Sequence, residues 1–113
     1  MKIDLYAFGR ILVEGREYTT DVVIYPKHVD AAWRRKEGHR LSTEDLRGVI
    51  EADPEIVVIG TGAFGEMTVP PEVVADLEAR RIRVIVLHTN NAVETYNRIR
   101  GTGRVVAAIH LTC

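Results

Sequence analysis

The chain has 113 residues, the length of one domain. Its 15 Lys and Arg face 16 Asp and Glu, a net charge of -1 with His neutral, which removes the electrostatic argument for a dedicated nucleic-acid binder. Hydrophobic residues at 46% and charged residues at 27% fit an ordinary globular domain, the apolar runs are too short for a membrane span, and the lone cysteine, Cys113, excludes an internal disulfide.

The first quarter reads as β structure. Ile3, Leu5, Ile11 and Val13 sit on one alternating face, with Gly9 marking a bend or bulge. Glu14-Gly15-Arg16-Glu17 reads as a hairpin turn. Tyr18, Thr20, Val22 and Ile24 follow with period two and are rich in β-branched residues, so one strand is expected there. Pro26 ends it, having no N–H to give to a ladder. Met1-Lys2-Ile3-Asp4 opens straight into strand-like sequence, so no leader peptide and a cytoplasmic location are expected.

Residues 27–41 show no period. They carry His28, Trp33, Gly38 and His39, with five basic residues against two acidic ones. An ordered loop anchored by a buried Trp33 is expected. At Ser42 the period changes. Asp45 follows three residues later, a capping box with Asp in place of Glu or Gln. Leu46, Val49 and Ile50 then mark one face of a short helix that Asp53-Pro54 ends.

Ile56-Val57-Val58-Ile59 is a continuous apolar strand, as expected for burial on both faces. Pro70-Pro71-Glu72 opens a second helix with Val73, Val74 and Leu77 inward, which ends at Arg80-Arg81. Val84-Ile85-Val86-Leu87 reads as another fully buried strand. Thr89 is placed to cap a third helix carrying Ala92, Val93, Tyr96 and Ile99, with Gly101 at its end and Tyr96 in the core. A last strand covers 105–109. Alternating helices and buried strands predict right-handed crossovers and a largely parallel sheet. Strands 56–59 and 84–87 should be parallel neighbours.

Several strings together carry a resemblance. They are Trp33-Arg34, Gly38-His39, Ile59-Gly60-Thr61-Gly62, Thr89 ahead of Ala92, Tyr96-Asn97, Gly101, Arg104-Val105 and Leu111-Thr112-Cys113. In their order and spacing the chain resembles the Mth-nine-three-eight-like domain family, a domain of unknown function, over essentially its whole length. The resemblance implies an α/β fold in three layers: a central mixed, mostly parallel sheet, flanking helices and an N-terminal antiparallel β-hairpin layer. It implies no reaction, because the family offers no catalytic residues to carry over. A mitochondrial member acts as an assembly factor through protein contacts. Arg81 stands where the family habit is a glycine.

Gly60-Thr61-Gly62-Ala63-Phe64-Gly65 is a literal G-x-G-x-x-G after a strand. The third glycine should open a helix in a dinucleotide site, but the next helix waits until Pro70-Pro71, and no acidic residue ends the following strand. A tight turn is the simpler reading. With strands 56–59 and 84–87 side by side, Thr61 and Thr89-Asn90 would meet at the carboxyl edge of the sheet, where α/β folds bind ligands. Gly60, Thr61, Gly62, Thr89 and Asn90, with Arg34 or Arg35 for charge, are the candidate anion-binding set. No nucleophile accompanies them. No histidine pair has metal-ligand spacing. His110 and Cys113 are three apart, which in a strand puts them on opposite faces, so no catalytic Cys–His pair is expected. Trp33 with Arg34-Arg35-Lys36 is the one aromatic-basic cluster, read as a loop anchor with a solvated rim. The expected function is a non-catalytic, assembly-factor-like interaction domain without cofactor or metal, binding another protein or itself. The alternative is a small-molecule or anion-binding module.

Overall fold

Two left-handed residues make the hairpin turn read at residues 14–17. Glu14 (φ 50°) and Gly15 (φ 77°) both have positive φ, the type I′ turn whose twist matches antiparallel strands. The computed structural model describes residues 1–113. In it β1 (Ile3–Ala7), β2 (Arg10–Val13) and β3 (Arg16–Tyr18) form a three-stranded antiparallel sheet.

The register corrects the expected alternation. Ile3 faces Val13 and Leu5 faces Leu12, so Asp4 is an extra residue in a bulge. The bulge turns Leu5 outward, 45% exposed, while Ile3, Ile11 and Val13 stay buried. The run from Tyr18 to Ile24 is likewise two strands in two sheets, not one. After Tyr18 the ladder stops, because side chains take over the bonding. The Thr20 hydroxyl donates to the Ala31 carbonyl and the Asp21 carboxylate accepts the Leu111 N–H. β4 (Val22–Ile24) then enters the second sheet beside β5 (Val29–Asp30).

That sheet has the order β5-β4-β8-β6-β7, with β6 at Ile56–Gly60, β7 at Arg83–Leu87 and β8 at Val105–Ile109. β6 runs parallel to both β7 and β8, from Ile56 opposite Arg83 to Gly60 opposite Leu87 on one side. The parallel neighbours read from the crossover rule are therefore present. β4 joins β8 antiparallel, which makes the sheet mixed. β7 was expected to be fully buried. It lies at the edge, where none of its residues is fully buried and Val86 is 40% exposed, because the helices cover its faces only in part and nothing pairs with its outer side.

Period two along the apolar strands divides them between two cores. Val57, Ile59, Val106 and Ala108 pack with Leu46, Val49, Val73 and Leu77 beneath α1 (Arg47–Glu51) and α2 (Pro71–Ala79). Val58, Val105, Ala107 and Ile109 pack with Ile3, Ile11, Val13, Ala92 and Tyr96, between the three-stranded sheet and α3 (Thr89–Ile99). Tyr96 is thus core, as read. Trp33 belongs to the first core, 8% exposed, and its indole N–H donates to the Asp45 carbonyl at 2.8 Å. The Ser42–Asp45 capping box forms in both directions, although the helix begins as a 3-10 turn over Thr43–Leu46. The cap of α3 differs from expectation. His88 is its N-cap, and Thr89 is the first helical residue with its hydroxyl turned inward. No helix is long and apolar enough to cross a membrane.

α2 ends in a Schellman motif. The Ile82 N–H donates to Leu77 C=O and the Arg81 N–H to Glu78 C=O, with Ile82 and Leu77 both buried. The motif forces Arg81 to φ 65°, a conformation that costs a side-chain-bearing residue about 1–2 kcal/mol. Arg81→Gly should relieve that strain, raising stability by up to about 1 kcal/mol net of the looser unfolded chain. Urea unfolding of the two proteins measures it.

Candidate functional site

β6, β7 and β8 end in register on one edge of the sheet, so Thr61-Gly62, His88-Thr89 and His110-Leu111 leave it side by side. Thr89 is fully buried among them. Its hydroxyl donates to the His110 carbonyl at 2.7 Å and accepts the Gly62 N–H at 2.8 Å. The Thr89 N–H donates to Gly62 C=O, the His110 N–H to Gly60 C=O, and both the N–H and hydroxyl of Thr61 reach Leu87 C=O. Gly60 is required by packing. A Cβ there would stand 2.9 Å from Thr89 Oγ1 and 3.3 Å from the Ala92 Cβ. Gly62 (φ 107°) is required by both conformation and space, since a Cβ would overlap the Cys113 backbone.

Thr61 and Thr89 therefore meet at the carboxyl edge. Their donors, however, are already engaged inside the protein. The Ala63 N–H goes to Thr112 C=O, the Gly65 N–H to Gly62 C=O and the Glu66 N–H to Cys113 C=O. The turn clasps segment 110–113. Asn90 points into a groove beside β1, and Arg34 is exposed at a cavity of about 310 Å³ next to Trp33. Neither reaches the turn. The basic rim of that cavity is neutralised in part by a 2.7 Å Lys36–Glu44 ion pair. The Trp33 ring is covered by Arg35, whose guanidinium carbon lies 4.8 Å from its centroid.

Arg35, not Arg34, is the loop arginine that reaches the edge. Its Nη2 lies 2.8 Å from Asp21 Oδ2, and the same oxygen is 2.8 Å from His110 Nδ1. Arg35 Nη2 also lies 3.2 Å from His110 Nδ1, so the three side chains meet at one point. The other carboxylate oxygen of Asp21 accepts the Leu111 N–H at 2.8 Å. Burial alone would raise the Asp21 pKa. Hydrogen bonds from His110, Leu111 and Arg35, with the charge of His110, more than offset it and hold the carboxyl at about 2. Burial and the Asp21 charge push the nearby Tyr6 hydroxyl up; it donates to Leu111 C=O at 2.7 Å. Arg35 Nη1 and His110 Nε2 are buried without a protein partner. His39 sits edge-on to His110, with centroids 5.6 Å apart. Cys113 is a half-buried free thiol attached to the turn through its backbone.

A second feature stands beside this cluster. Phe8, on the β1–β2 turn, and Phe64, in the glycine-rich turn, are 57% and 70% exposed and face each other at 6.2 Å between centroids. Both turns are tied to segment 110–113, the first by the Gly9 N–H to Leu111 C=O. The sequence signal for this pair was an aromatic residue inside each of two glycine turns. The Asp21–Arg35–His110 cluster had no local signal, since its members are 14 and 75 residues apart along the chain.

Residues 3–111 match the family model described as a protein of unknown function (DUF498/DUF598). The chain is similar to the conserved hypothetical protein PH1505 from Pyrococcus horikoshii OT3, with 30% identity, all of both chains covered and a TM-score of 0.87. It is 32% identical to MT938, covering 99% of this chain and 98% of that one at a TM-score of 0.81. A Mth938-like domain from Bordetella pertussis, 21% identical over 97% of this chain and 85% of that one, has the same fold at a TM-score of 0.76.

The Asp21 pKa sets a pH dependence. Its folded value of about 2 lies below an ordinary 3.8, so the stabilisation is complete above pH 3.8 and is lost as pH falls through about 2. The contribution is about 2 kcal/mol. Urea midpoints between pH 2 and 5 should show this decline in the wild type and a flatter profile in Asp21→Asn.

Proposed function

The chain belongs to the family of unknown function DUF498/DUF598, the Mth938-like domains, and from that premise we propose that residues 1–113 act as one non-catalytic protein-binding module of the assembly-factor kind. The Phe8–Phe64 pair carries this reading. Single exposed apolar residues are ordinary, but two large aromatics packed together in solvent fit an interface anchor. Burying both against a partner offers on the order of 5 kcal/mol of apolar transfer, before the entropy of association is subtracted. Their turns are held by backbone hydrogen bonds, so little further ordering is needed on binding. The side chains best suited to acid–base chemistry, Asp21 and His110, are tied to one another and to Arg35, which favours a structural role. The partner is another protein or a second copy of the chain. A fold that needs no disulfide suits a reducing compartment, and we place the module in the cytoplasm.

Affinity capture with the wild type and a Phe8→Ser/Phe64→Ser variant tests the reading. The variant should lose a protein that the wild type retains, while its unfolding free energy stays within about 0.5 kcal/mol. Equal capture of the same proteins by both would refute it.

A small-anion reading draws on a different observation, the unpartnered Arg35 Nη1 and His110 Nε2 behind the Gly60-Thr61-Gly62 turn and Thr89. On that reading sulfate raises the Tm more than chloride does at equal ionic strength. Salting-out does the same to any protein, so the excess must shrink in Arg35→Gln. The same sulfate shift in both proteins would dismiss it.

A further inference from the structure

We infer that the groove between β1 and α3 takes an extended peptide, added as a strand along β1, that carries a large apolar side chain and a Lys or Arg on the same face. This rests on the protein-binding reading above and names the chemistry of the partner. β1 is the edge of the three-stranded sheet, with β2 on one side and α3 across from the other. An edge strand turns half of its backbone N–H and C=O groups away from its neighbour. At Ile3 those groups are taken by one side chain. The Ile3 N–H donates to Asn97 Oδ1 at 2.9 Å, and Asn97 Nδ2 donates to Ile3 C=O at 2.8 Å. A carboxamide has the donor and acceptor of a peptide unit, so Asn97 makes the pair of bonds that a residue of an adjoining strand would make.

Further along β1 no helix side chain repeats that contact. The edge opens into a groove of about 310 Å³, lined among others by Leu5, Tyr6, Asn90 and Val93. Its volume is at the bottom of the range for small-molecule pockets, about 300–1,000 Å³, and suits side chains better than a cofactor. The same groove is lined by two carboxylates, Asp4 and Glu94, and by no Lys, Arg or His. Both are exposed and neither forms an ion pair; Asp4 accepts the Gly15 N–H at 2.7 Å, and the Glu94 carboxylate has no hydrogen-bond partner at all. An apolar floor with two carboxylates that lack a cation matches a hydrophobic residue followed at i+2 by a Lys or Arg, since alternate residues of a strand share a face. A second copy of the chain fits less well. Pairing β1 with β1 across a two-fold axis would add a second acidic groove to the first. At roughly 3.3 Å per residue, Tyr6 in the groove is within about 7 Å of Phe8 along the strand. A peptide only a few residues longer would therefore also cover the Phe8–Phe64 pair.

The test is an amide NMR titration of the full chain with millimolar acetyl-STLTKTS-amide and with acetyl-STLTETS-amide. The lysine peptide should give saturable shifts at Ile3–Tyr6 and Val93–Asn97. The glutamate peptide should bind about two- to five-fold more weakly, the scale of an exposed ion pair. Glu94→Lys, an exposed helix position outside the core, should cancel the preference without unfolding the protein, because Asp4 and the new lysine balance. Absent or non-saturable shifts at those amides, shifts centred elsewhere, or equal affinity of the wild type for the two peptides would overturn the inference. The two proposals fail separately. If the groove alone is wrong, Glu94→Lys still captures whatever the Phe8→Ser/Phe64→Ser variant loses. If the aromatic anchor alone is wrong, the lysine peptide still titrates the groove.

Discussion

One hydroxyl group joins the ends of three strands. Thr89 Oγ1 accepts from the backbone after β6, donates to the backbone after β8 and belongs to the first residue of the helix that follows β7. Parallel strands that stop together leave backbone groups facing one another without a ladder, and a buried group left unpaired costs about 1–3 kcal/mol. Thr89 and the Gly62 carbonyl close that gap from both sides. The absence of side chains at Gly60 and Gly62 is what lets the segments approach so closely. A glycine pattern that resembles a nucleotide fingerprint therefore serves packing here, because the N–H groups of Thr61, Ala63 and Gly65 bond the chain's own carbonyls and that of Gly62 bonds the Thr89 hydroxyl.

The clasp determines what surrounds it. Segment 110–113, once held against the glycine turn, brings His110 to Asp21 and gives the Leu111 N–H a carboxylate acceptor. Arg35 completes the cluster and lies over Trp33, so a long loop is tied to the sheet by a buried ion pair as well as by an indole. Removing one member of such a network leaves the others charged and desolvated, which makes the cluster a strong constraint even where its net contribution to stability is small. The same segment holds the Phe8 turn through Leu111 C=O.

Rigid support and exposed apolar surface thus occur at one place. Phe8 and Phe64 project from turns that the clasp immobilises, and β1 leads from them into the acidic groove against α3. A partner entering there meets a surface with little entropy left to lose. The acidic lining offers recognition by charge, which favours selectivity and encounter rate over affinity.

Local order was legible in the sequence wherever neighbours in the chain are neighbours in space. The Ser42–Asp45 capping box, the three helical periods, the continuous apolar runs of β6 and β8 and the parallel pairing of β6 with β7 all follow from contacts within a few residues or from crossover handedness. The meeting of Thr61 and Thr89 followed from that pairing. Tertiary structure decided the rest. It placed β7 at an open edge, inserted Asp4 as a bulge, broke the run after Tyr18 between two sheets and turned Thr89 from a cap into a clasp. It chose Arg35 over Arg34 and brought Phe8 to Phe64. Each of these depends on partners far along the chain, as with the 89 residues between Asp21 and His110. Periodicity reports which face of a strand or helix is apolar. It carries no information about which distant backbone group a buried polar atom will find, and here those pairings determined the site.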